Sequence, residues 1–293
     1  MEKAINQQTN KQKFQSYLKH PGSLLVMLFT SLAAIITTIV FIYLIGYILI
    51  NGVPHLTPDL FQWKYNSENV SMLPSIINTL LLTGLALLIA VPLGIFAAIY
   101  MVEYAKKGNK LVKIVRITAE TLSGIPSIVY GLFGMIFFVG ILKFQLSLLS
   151  GALTVAIMVL PTVMRTTEEA LLSVPYSFRE GSFGLGAGKL RTVFRIVLPS
   201  AVPGILSGVI LATGRIVGET AALVYTAGTM AAVPENIFSS TRTLSVHMYL
   251  LSKEGLNTNQ AFATAVVLMI MVILINALSN LIANKLTAKG MKK

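Results

Sequence analysis

The sequence predicts an all-α, polytopic integral membrane protein with about six spans, and three observations support this. Charged residues make up 12% of the chain and apolar ones 55%, with a mean hydropathy of +0.76; a soluble domain carries about 25% charged residues. The apolar residues are gathered into runs long enough to cross a hydrocarbon layer of about 30 Å. Lys and Arg, finally, are shared very unequally among the segments between those runs. Water around such runs would leave more apolar surface exposed than one core could cover, so lipid is the solvent they require.

Residues 1–22 are polar and hold Lys3, Lys11, Lys13 and Lys19. Leu24–Ile50 is free of charge, too long for a signal-peptide core and not followed by a small-residue cleavage site, so it reads as a retained first span. After a polar segment containing Trp63, an interfacial residue type, Pro74–Tyr104 gives the second span, interrupted by Pro92 and Gly94. The third span is expected at Ile117–Leu142 with Pro126 inside it, and the fourth at Leu146–Met164 with Pro161 inside it. A longer polar stretch, 165–199, precedes a fifth span at Ser200–Ala227; residues 228–259 are polar, and Gln260–Leu286 makes the sixth. The internal prolines are expected to act as kinks, because neighbouring helices can satisfy the carbonyls they free. The resulting segments are a cytoplasmic tail at 1–22, the first span with its extracytoplasmic loop at 23–71, a transmembrane domain at 72–286, and a cytoplasmic tail at 287–293.

Charge sets the orientation. Of 23 Lys and Arg, eighteen fall in the segments 105–116 and 165–199 and the two tails, counting Lys285 at the end of the sixth span with the C-terminal tail; Lys64, Lys143, Arg242 and Lys253 lie in the other loops, and Arg215 lies within a span. Positive charge collects on the cytoplasmic side, which places both termini there and explains the net charge of +12 without nucleic acid. No cysteine is present, which excludes disulfides, iron–sulfur clusters and thiol nucleophiles. His20, His55 and His247 show no metal-binding spacing, and no metal or other cofactor is expected.

The 165–199 stretch is too long for a plain turn, and a short helix lying at the cytoplasmic face and broken at the glycines is expected. Leu171, Leu172, Val174, Phe178 and Phe183 would supply its apolar contacts, with Glu168, Glu169, Arg179 and Glu180 its polar ones. Within it Glu180, Gly181 and Ser182 are followed by Gly186 and, after nine intervening residues, by Ile196, Leu198 and Pro199. This spacing resembles the cytoplasmic signature of ABC import permeases, E-A-A-x-x-x-G-x(9)-I-x-L-P, with Gly181 and Ser182 in place of the alanines. The resemblance implies a type I ABC importer permease fold in which 165–199 is a coupling loop that docks on a separate ATPase subunit. Glu180 and Gly186 would sit in that contact, Gly186 supplying the turn between two helices. The neighbouring FGLGAGKL does not make a phosphate-binding loop: Phe183 and Leu190 occupy positions that need Gly and Ser or Thr. No other segment has that pattern, so the chain is expected to be a transporter subunit and not an enzyme, with ATP hydrolysed on a partner.

Arg215 and Glu219, followed by Thr220, lie inside the fifth span. Each charge would cost about 2.5–3.5 kcal/mol at a lipid-exposed helix centre, and their i, i+4 spacing lets them pair and face inward. Two readings stand: a structural ion pair that orients helices, or an arginine that meets an anion in transit while Glu219 holds or yields it. A guanidinium suits a tetrahedral oxyanion because its fork of donors matches two oxygens at once. In GIPSIVYGLFG, residues 124–134, Gly124, Gly131 and Gly134 could serve packing alone. Taken together, GIPSIVYGLFG and RIVGETAALVYTAG resemble the phosphate-specific permeases, closer to PstA-type subunits than to their PstC-type partners, with Ala222 replacing a proline. The resemblance covers most of 72–286. It implies a phosphate importer built with a PstC-like second permease subunit as heterodimer, a PstB-like ATPase dimer and a PstS-like phosphate-binding protein in a bacterial cytoplasmic membrane. A permease for sulfate, molybdate or phosphonate is the alternative. A self-contained secondary transporter fits poorly with the small span count, and an intramembrane enzyme with the lack of Ser–His, paired-Asp or His-metal groupings in the spans.

Overall fold

The computed structural model describes residues 20–106 and 108–290; among them there is helix and no strand. Contacts divide the chain into two units that adjoin in sequence at Asn51 and Gly52. In the first, α1 (Pro21–Gly52) is a 32-residue helix without a charge, which at 1.5 Å per residue is ample for a membrane. Its threonines are tolerated because the hydroxyls of Thr30, Thr37 and Thr38 bond back to the carbonyls of Val26, Ala33 and Ala34 at 2.8–2.9 Å. The expected basic N-terminal tail lies outside the described residues, apart from His20 to Gly22.

The second unit opens with two 3-10 turns, Val53–His55 and Pro58–Phe61. Then come α2 (Leu73–Ile99), α3 (Lys110–Ser123), α4 (Ser127–Gly134), α5 (Leu148–Ser173), α6 (Tyr176–Gly184), α7 (Lys189–Thr192), α8 (Leu198–Val217), α9 (Ala221–Thr226), α10 (Leu244–Glu254) and α11 (Thr258–Gly290). Three π-helical turns extend this set: Tyr100–Tyr104 after α2, Met135–Ile141 after α4, and Val193–Val197 joining α7 to α8. Among the described residues five helices are long and apolar enough to cross a membrane, and α3 with α4 makes a sixth if that bent pair counts as one span.

α5 is the central element. Gly151, Ala152, Val155, Ala156, Val159 and Val163 are buried, and they pack with Leu82, Ala86 and Ala90 of α2 and with Ala212 and Ile216 of α8. Lipid gives helices no hydrophobic reason to associate, so close fit has to supply the attraction. α8 provides it with Gly204 and Gly208: a Cβ on Gly204 would stand 2.6 Å from Ala170 Cβ, and one on Gly208 would collide with the Thr166 side chain. Those partners are also four residues apart, so two complementary stripes meet. A second cluster gathers one set of helix ends: Ile99 at the end of α2 and Met101 just after it, Leu171 and Val174 at the end of α5, and Val193, Val197 and Ala201 along the root of α8.

The spans depart from expectation in three places. Pro126 ends a helix instead of kinking one: α3 and α4 meet at 104° across Gly124–Pro126. Proline offers no N–H to the Leu122 carbonyl, and that carbonyl takes the Ile125 N–H at 3.1 Å and the Tyr130 hydroxyl at 2.8 Å. Pro92, Pro161 and Pro203 do lie within continuous helices. The fourth helix runs nine residues past Met164 because Thr167, Ala170 and Leu171 stay buried, while Arg165 and Glu169 pair across one turn at 3.1 Å. The fifth starts earlier and stops sooner than Ser200–Ala227: helix runs from Lys189 to Val217, Gly218 caps it, and α9 follows as a separate piece.

Candidate functional site

Two regions hold the residues singled out above. The first is the turn of chain between α5 and α8. α6 is short, and Arg179 and Ser182 are its buried side chains. Tyr176, Phe178, Glu180, Gly181 and Phe183 are exposed. Of the residues expected to supply apolar contacts here, Leu171 and Val174 are buried, whereas Leu172, Phe178 and Phe183 are exposed. An amphipathic reading of this segment could not separate side chains that face the bundle from side chains that face outward, since both sets are apolar. Ser182 Oγ and Thr192 Oγ1 share a hydrogen bond of 2.8 Å that closes α6 onto α7.

Gly186 has φ +83°, a conformation that a side chain makes costly. Its N–H donates to the Phe183 carbonyl at 2.9 Å, and the Ala187 N–H donates to the Ser182 carbonyl at 3.1 Å. These two bonds define a Schellman ending for α6. Ile196, Leu198 and Pro199 belong to the root of α8: Ile196 in the π-helical turn, Leu198 half-buried, Pro199 exposed.

The second region is the end of α8. Arg215 stands in its last turn, half-buried, where the helix's terminal carbonyls favour a cation. Among the described residues it forms no ion pair. Glu219 does not reach it, because the helix has already ended at Val217 and the i, i+4 geometry no longer holds. The buried Glu219 carboxylate accepts the Ala222 N–H at 3.0 Å, and its main-chain carbonyl accepts the Ser245 hydroxyl at 2.6 Å. Thr220 stands at the N-terminus of α9, its hydroxyl 3.4 Å from the Gly218 carbonyl. Gly131 and Gly134 of α4 pack close by: a Cβ on the first would meet Ala222 Cα at 2.7 Å, and one on the second would meet Thr226 Cγ2 at 2.7 Å. Gly124 has no such neighbour. The GIPSIVYGLFG and RIVGET segments are thus brought side by side.

Sequence reasoning missed two further groupings. A cavity of about 290 Å³ between α3 and α5 is lined by Arg116, Glu120, Arg165, Glu168 and Glu169, and in it Arg116 pairs with Glu168. At the end of α2, Glu103 pairs with Arg179 of α6 at 2.6 Å. Its signal was present, since a carboxylate inside an apolar run demands a partner.

Residues 90–289 match the family model for the binding-protein-dependent transport system inner membrane component. The chain belongs to that family. As a member, it is a membrane-spanning permease subunit of ABC importers. It is 35% identical over 279 residues to a probable ABC transporter permease protein, YqgI, of Bacillus subtilis, covering 88% of this chain and 95% of that one. It is 36% identical over 202 residues to the phosphate transport system permease protein PstA 1 of Mycobacterium tuberculosis (68% and 66% covered). With the PstA protein of Haemophilus influenzae the identity is 31% over 238 residues (80% and 84%). Among solved structures, a bacterial ABC transporter involved in the import of the acidic polysaccharide alginate contains a chain of the same fold, with TM-score 0.65, 20% identity, and 94% and 99% covered. The MetNI methionine ABC transporter contains another at 0.57, 21%, and 74% and 94%. The permease fold is therefore that of the type I importers.

Proposed function

We propose that this chain is the PstA-type subunit of an ATP-driven phosphate importer. It forms part of the translocation path with a PstC-like second permease, is driven by a PstB-like ATPase dimer, and receives phosphate from a PstS-like binding protein. The observation that carries the reading is Arg215: a half-buried guanidinium inside a span, with the nearby acid Glu219 committed to Ala222 and its own donors left for an anion. Phosphate offers such a fork two oxygens at once. The relatives named as phosphate permeases support the substrate. Energy enters through the exposed face of α6, around Glu180 and the turn at Gly186. Both termini lie in the cytoplasm, on the side where Lys and Arg concentrate.

Arg215→Gln tests the substrate role. It is expected to abolish labelled phosphate uptake while the complex still copurifies whole; normal uptake would return Arg215 to a purely structural part. Competition for the partner binding protein by sulfate, molybdate or phosphonate, in preference to phosphate, would assign the path to that oxyanion instead.

A further inference from the structure

α6 touches the rest of the chain through very few side chains, and Arg179 is the one that reaches the spans. Arg179 Nε and Nη2 donate to Glu103 Oε1 at 3.1 and 2.6 Å, Nη1 donates to the Val174 carbonyl at 2.9 Å, and Nη2 donates also to the Leu171 carbonyl at 2.9 Å. Leu171 lies in the last turn of α5 and Val174 caps it, so both carbonyls are ones that the helix itself leaves without a donor. Glu103 lies in the π-helical turn that ends α2. The two side chains are each 9% exposed, whereas the other two ion pairs have at least one partner more than half exposed.

We propose that Arg179 and Glu103 are positioning residues that lock α6 to the cytoplasmic ends of α2 and α5, so that a displacement of α6 reaches two spans together. The proposal rests on the reading of the α6 face as the ATPase contact. Three physical points carry it. A buried ion pair is a poor source of stability, since apolar residues of similar size commonly do as well, but its geometry is directional. A guanidinium fixes direction because its donors are held in one plane, which the single ammonium of lysine cannot imitate. α2 and α5 also pack along their lengths through Leu82, Ala86, Ala90, Val155 and Val159, so a pull on both ends moves them as one body. The other buried side chain of α6, Ser182, bonds within the loop to Thr192, and leads to α8 by way of α7.

The experiment uses the complete importer, purified through this chain and reconstituted in liposomes, with phosphate uptake and ATP turnover measured on the same sample. Arg179→Lys keeps the charge and loses the fork; Arg179→Met combined with Glu103→Leu removes both charges and leaves neither stranded. Each is expected to assemble with its ATPase and hydrolyse ATP while phosphate moved per ATP falls about tenfold, the size of a lost coupling contact. Unchanged phosphate per ATP in either variant overturns the proposal, and so does failure of both to assemble, which would make the pair a folding element. Glu180→Lys tests the underlying reading separately: it is expected to lose the ATPase on purification, and full retention with normal uptake would remove α6 as the contact whatever Arg179 does.

Discussion

At the scale of single residues, burial decides which polar groups matter. His247, in α10, is fully buried beneath the Tyr65 ring, with Arg242 Nη1 3.3 Å from its Nδ1. Burial first, and then the Arg242 charge, lower its pKa from 6.5 to about 4; a bond to the Val70 backbone acts weakly the other way. The unfolded chain therefore takes up a proton that the folded chain refuses. The stability contributed by neutral His247 is complete above pH 6.5 and is lost as the pH falls to about 4, with an upper figure of about 3 kcal/mol. Thermal denaturation of the purified protein across that window should show this loss, and His247→Gln should lack it, so that the difference between the two proteins falls with pH across the same window. Gly208 gives the second prediction at this scale. Gly208→Leu should cost about 1–3 kcal/mol by forcing α8 off Thr166, read as a lowered midpoint of unfolding in detergent, whereas Gly214→Ala, with open space around it, should cost little. Neither the His247 pocket nor the Gly204–Gly208 stripe was legible in the sequence, because each depends on what lies opposite, and a lone histidine or a pair of glycines says nothing about its neighbour.

At the scale of elements, helices were legible and their ends were not. Hydropathy located all the apolar runs, since a membrane imposes length and composition on a helix. It could not tell Pro92, which stays within α2, from Pro126, which separates α3 from α4. At the Pro126 break the Leu122 carbonyl takes both the Ile125 N–H and the hydroxyl of Tyr130, eight residues away. Tyr130→Phe should weaken that corner by about 1 kcal/mol, the worth of one such bond, and should raise amide exchange in Gly124 to Ser127 relative to the rest of α4. The Gly186 turn was legible, because the residue following a helix so often has to adopt a left-handed conformation. Gly186→Val should strain it by about 1–2 kcal/mol and lower recovery of the ATPase on copurification. The expected pairing of Arg215 with Glu219 does not form, since i, i+4 spacing counts only while the helix continues.

At the scale of the whole molecule, the absence of cysteine makes orientation directly measurable. With the proposed topology, Lys189→Cys should react with an impermeant maleimide only from the cytoplasmic side of sealed vesicles, and Lys253→Cys only from the opposite side. The same labelling from one side for both would reverse the assignment of the loops. Lys189 to Val217 is a continuous run of 29 helical residues passing through a π-helical turn. At 1.5 Å per residue, the Gly186 end and Arg215 are separated by roughly 40 Å, so a rigid tilt of about 5° at one end swings the other by about 3 Å. That arc is about the length of one hydrogen bond. On the proposed reading of Arg215, a lever of this reach needs no large motion at the α6 end to carry the guanidinium from grasping an oxyanion to releasing it.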